Sequence, residues 1–172
     1  PDDSSDVTFS KLFVVIIALS CCACGLVWSA MYYVVFGFGL TMILPLGFVL
    51  IVGTATIISD RIADHRPLIY AQIACITWIS ALIQWSIGSM EHSGLVISWC
   101  FLGPIGALIF LNVRQAVIWM GMFLGIVVVS AVFGPALLGH PLTVSDQTRI
   151  FFYIMNMGAS DLVVFAASAW FV

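Results

Sequence analysis

Charge is what this chain has least of. Only 8% of its residues are charged, against 63% apolar, and lysine occurs once, at Lys11. Soluble domains carry about 25% charged residues, so a soluble fold is excluded and an integral membrane protein is expected. The net charge of −3 sits partly in the N-terminal PDDSSD. That leaves no basic patch for nucleic acid and no basic n-region of a signal peptide. The chain opens at Pro1 rather than Met, which leaves room for an upstream segment. Pro-rich, Ser-rich and repetitive tracts are missing too, so one domain is expected over 1–172, with residues 1–10 a short acidic tail.

Deep cations and ligands are equally scarce. A retinal protein needs a lysine within a helix, and Lys11 stands at a membrane edge. A b-type haem needs axial ligands inside the spans, whereas His65, His92 and His140 all fall in loops. Ion-coupled transporters usually carry several intramembrane charges. Here the spans offer Asp161, with Gln72, Gln84, Thr41, Thr77 and Asn156 as uncharged polar company. Pro45 interrupts the second span and no matching break is expected in the second half, which weakens a transporter reading. No paired-carboxylate site, nucleophile–base pair or Gly-rich phosphate loop is recognisable, so no catalytic residue and no metal site is assigned.

What is present is apolar sequence in span-length runs. A membrane helix needs about 20 residues, and six stretches fit: 12–32, 38–58, 68–88, 95–111, 116–133 and 150–172. The expected fold is therefore all-α, an integral membrane bundle of six transmembrane helices. The unbroken run from Phe9 to Ile58 requires a tight hairpin, placed near Ser29 to Gly37, with Trp28, Tyr32 and Tyr33 as interfacial aromatics. Lys11, Arg61, Arg66 and Arg114 fall on one side of such a bundle and Arg149 on the other. The positive-inside bias then puts both termini in the cytoplasm.

Five cysteines, at 21, 22, 24, 75 and 100, lie in apolar runs. Cys21 and Cys24 form a C-x-x-C, but small apolar side chains within the bilayer are the plainer reading. SDRIADHRP, with Asp60, Arg61, Asp64, His65 and Arg66, could be read as a metal or phosphate site, but its charges are rather expected to fix topology and pair with one another. SMEHSG, with Glu91 and His92, reads as an interhelical turn, with pH or ligand sensing as the alternative.

The C-terminal half resembles a known family. SGLVISWCFLGPIGALIF (93–110), RQAVIW (114–119) and FFYIMNMGAS followed by DLVVF form a series similar to the six-span membrane anchors of bacterial class III adenylate and guanylate cyclases. The matching positions are Ser93-Gly94, Trp99, Pro104, Arg114-Gln115-Ala116, Trp119, Asn156 and Val164-Phe165; the N-terminal half agrees only in span count. The resemblance implies a non-catalytic anchor and sensor module. Its sixth span would run through a coupling helix into a cytoplasmic, dimeric cyclase whose metal-binding aspartates lie outside these residues. It implies no cofactor within the chain and a homodimer as partner state, with the plasma membrane as location.

Asp161 departs from that family's apolar pattern. It follows Ser160, which shares a helix face with Asn156, and is expected on roughly that side. Three readings stand open: a hydrogen bond to a neighbouring helix, for instance at Gln72 or Gln84; a ligand position; or a dimer contact. The second reading belongs with an alternative function, a small accessory subunit scaffolding a photosynthetic or respiratory complex, in a thylakoid membrane for example. There Asp161 or Asn156 would ligate a pigment, or the chain would hold lipid, among other membrane subunits.

Overall fold

The computed structural model describes residues 5–62, 64–137 and 142–170; His140 lies outside them. All regular structure there is helical. Five helices are long and apolar enough to cross a membrane: α1 (Ser5–Phe36), α2 (Leu40–Ile62), α3 (Arg66–Ile87), α5 (Val113–Leu137) and α6 (Asp146–Trp170). Between α3 and α5 lies a shorter rod, a 3-10 segment (Val96–Phe101) running directly into α4 (Leu102–Phe110). Helix α1 already begins at Ser5, so the acidic tail expected over 1–10 is helical in its second half.

The chain divides into two compact units, one up to Cys75 and the other from Ile76 onward, with α3 contributing to both. In the first unit α1 and α2 form the expected hairpin, turned at 37–39, at the downstream end of the window Ser29 to Gly37. Gly37 takes a φ of 76°, a left-handed conformation that glycine adopts without steric cost. Gly25 brings the two helices together: a Cβ built there would lie 2.9 Å from Val49 Cγ2 and 3.3 Å from the Pro45 carbonyl. Pro45 removes one ladder hydrogen bond from α2. Nearby, Ser29 Oγ donates to the Met42 carbonyl at 2.8 Å, a hydrogen bond from α1 to α2. Gln72 Nε2 donates to the Val14 carbonyl. The pair of tyrosines divides: Tyr33 is exposed, whereas Tyr32 is fully buried and cannot be an interfacial anchor.

In the second unit, side-chain oxygens start the helices. Asn112 Oδ1 accepts from the Gln115 N–H at 3.0 Å, capping α5. Ser145 Oγ accepts from the Thr148 N–H, capping α6. Ala81, Ile97, Cys100 and Ile126 form a buried apolar cluster, flanked by Trp85 and Phe123. The rod contains the break that the sequence reading assigned only to the first half. Its 3-10 winding rises about 2.0 Å per residue against 1.5 Å in α-helix. The short rod therefore reaches about 26 Å where continuous α-helix would reach about 23 Å, against a hydrocarbon core of about 30 Å. Pro104 stands just after the change from 3-10 to α-helical winding, in the first turn of α4.

Candidate functional site

The most connected polar group in the second unit is a node between the 3-10 segment and α6. It begins with backbone geometry. Gly94 and Leu95 both have positive φ, 60° and 55°, which turns the chain sharply into the 3-10 segment. This lays Gly94 against α6 so closely that a Cβ on it would fall 2.4 Å from Phe152 Cβ and 2.6 Å from the Tyr153 nitrogen. Only a residue without a side chain fits between those two backbones.

Asn156, fully buried on α6, occupies the space this contact creates. Its Nδ2 donates to the Ser93 carbonyl at 3.2 Å and the Gly94 carbonyl at 3.1 Å, while its Oδ1 accepts from Trp99 Nε1 at 3.1 Å. The left-handed turn leaves two carbonyls without helical partners, and the amide satisfies both; a buried carbonyl left unpaired would cost about 1–3 kcal/mol. One turn on, Ser160 Oγ donates to Ser98 Oγ at 3.3 Å, extending the seam. Phe152, Asn156 and Ser160 thus form the inward stripe of α6.

Two further polar contacts tie helices within this unit. Trp85 Nε1 donates to Ser130 Oγ at 2.8 Å, joining α3 to α5. Cys100 Sγ donates to the Thr77 carbonyl at 3.0 Å. At the start of α6, Arg149 bridges Glu91 at 2.7 Å and Asp146 at 3.0 Å, so the SMEHSG turn is fastened to that helix. Within the turn, Ser89 Oγ shares a 2.7 Å hydrogen bond with His92 Nδ1.

Asp161 is not part of the node. It stands about 140° around the helix from Asn156 and is exposed, on the far side from the inward stripe. The expected bond to a glutamine is not formed. Gln72 is occupied by Val14, and the buried amide of Gln84 has no hydrogen-bond partner among the described residues. The two candidate ligand positions therefore part company: Asn156 spends both ends of its amide inside the chain, while Asp161 turns outward.

The loop charges also differ from expectation. Among the described residues Asp60, Arg61, Asp64 and Arg66 form no ion pair; Asp64 Oδ1 instead accepts from the Arg66 backbone N–H at 3.0 Å, at the start of α3. Beside this loop, within the first unit, is a cavity of about 210 Å³ lined by Val15, Thr56, Ile57, Ser59, Asp60 and His65. Ser59 Oγ and His65 Nδ1 are buried there with no partner among the described residues. The five cysteines form no disulfide, and Cys24 of the C-x-x-C is exposed. Among the described residues no group of three or more His, Cys, Asp or Glu side chains could hold a metal ion.

Sequence reasoning missed the Ser98–Ser160 and Trp85–Ser130 contacts. Phe152, Asn156 and Ser160 recur at intervals of four, and that spacing was the available signal for the inward stripe. Comparison with known proteins finds no matching family model, no similar curated protein and no similar solved structure.

Proposed function

We propose that this chain is a membrane anchor and sensor module of the class III nucleotidyl cyclase type, acting through helix packing and not through chemistry of its own. One observation carries the reading. Ser93-Gly94, Trp99 and Asn156, positions far apart in sequence that belong to the resemblance, meet in a single buried hydrogen-bonded node. A node of this kind fixes the rod against α6, the helix that leads towards a downstream domain. In this reading the rod is a sixth crossing, both termini face the cytoplasm, and the module works as a homodimer in the plasma membrane.

The test is the intact mass of the protein purified gently from its native membrane, with cyclase activity assayed in the same fraction. A polypeptide well above 18.7 kDa that forms cyclic nucleotide supports the anchor. A mass near 18.7 kDa within a larger coloured or redox-active assembly replaces it with the accessory-subunit reading. The outward position of Asp161 favours that second reading, in which pigment, lipid or other membrane subunits would cover the exposed face.

A further inference from the structure

The outward stripe of α6 contradicts the solvent it would meet. Ile150, Ile154, Met157 and Phe165 are all exposed apolar side chains, as expected of a surface facing lipid. Each lies within about 40° of Asp161 around the helix, two on either side, so Asp161 sits in the middle of a stripe about 80° wide. Asp161 is also deep. It is about 18 Å along the axis from Arg149, where α6 carries its exposed ion pairs, which places it near the centre of a hydrocarbon core about 30 Å thick. An ionisable side chain at that depth faces protein or a water-filled cavity and pairs with another group.

Among the described residues none supplies that group. Asp161 forms no hydrogen bond or ion pair among the described residues. Within the 172 residues the cations are Lys11, Arg61, Arg66, Arg114 and Arg149, each near a helix end or in a loop, and none within a span interior. A second copy brings no positive charge to that depth either. Two copies inserted in the same direction and packed through this stripe bring carboxyl against carboxyl at equal depth. Charge complementarity therefore selects a different protein.

We propose that the Asp161 stripe of α6 docks a transmembrane helix of another protein that carries a lysine or arginine at mid-bilayer depth. Gly158, exposed one turn before Asp161, leaves room for that helix to approach closely. The inference holds under either functional reading, because the node and the stripe occupy different sides of the helix.

The probe is a synthetic Leu/Ala transmembrane helix with one central lysine, titrated by energy transfer against the labelled full chain in lipid vesicles. Controls carry a central leucine, or the lysine moved to the helix end. We expect the central-lysine helix to bind at least 10-fold tighter than either control. Asp161→Leu should erase that preference, and Asp161→Glu should retain most of it. Asp161→Leu should keep the wild-type unfolding midpoint, since the side chain holds nothing together within the chain, so a lost preference cannot be ascribed to misfolding. Equal binding of lysine and leucine helices overturns the proposal. So does a preference that survives Asp161→Leu, or self-association of the wild-type chain, cross-linked through position 161, that displaces the probe.

Discussion

Two contacts in this protein solve the same problem by different means. In the first unit α1 meets α2 mainly by shape: Gly25 admits the Val49 side chain and the Pro45 carbonyl, and Ser29 adds one hydrogen bond beside the proline break. In the second unit the 3-10 segment meets α6 through an amide that holds three backbone or side-chain partners. Lipid tails are as apolar as leucine, so burial of apolar surface does not drive helices together in a bilayer; close packing and interhelical hydrogen bonds do. The difference between the two contacts is a difference in tolerance. A shape contact yields where the neighbouring atom is the tip of a flexible side chain. A contact between two backbones, locked by a buried amide, does not yield.

The sharpest way to break the comparison is Gly94→Ala. The new Cβ collides with Phe152 Cβ and with the α6 backbone, and the positive φ is strained for any side chain. A loss of about 3 kcal/mol is expected in denaturant titration of the detergent-solubilised protein. Asn156→Leu comes next, at about 2 kcal/mol, because it orphans the Trp99 N–H and two carbonyls. Combined with Trp99→Phe it should cost less than the sum of the single changes, since the two residues share a bond. In the first unit Gly25→Ala should cost less, about 1–2 kcal/mol, because the nearest atom belongs to a side chain and the Pro45 carbonyl at 3.3 Å need give by only a few tenths of an ångström. If Gly25→Ala proves as damaging as Gly94→Ala, the distinction between yielding and rigid contacts fails. The smallest effect belongs to the exposed Glu91–Arg149 pair: Glu91→Gln should cost less than about 0.5 kcal/mol, and the cost should vanish in high salt.

Run length and hydropathy were enough to locate the five long helices, because a membrane span is a demand on composition over about 20 residues, whereas the 3-10 start of the short rod gave no such signal. The direction in which a side chain points was harder to see. Tyr32 and Tyr33 look alike in sequence, yet one is buried and the other exposed. Asp161 was expected near the Asn156 side, although the step between them is about 140°. Its true companions, Ile154 and Phe165, were available as a stripe in the sequence. The loop SDRIADHRP held its charges for helix capping and exposure and not for mutual pairing, which depends on backbone geometry that charge spacing does not encode. The requirement for glycine at 94 was invisible, since it arises from a helix some sixty residues later in the chain. The resemblance did pick out Gly94, Trp99 and Asn156 together, without the reason for their company.

That separation has a consequence for how the protein is made. The rod leaves the ribosome well before its partner helix. At roughly 5–20 residues per second, the interval between Gly94 and Asn156 lasts about 3–12 seconds. During it the Ser93 and Gly94 carbonyls and the Trp99 indole have no Asn156 to meet. Until α6 arrives those groups need other partners, such as water or headgroups at the bilayer edge, so the rod is locked in place only once α6 has been made.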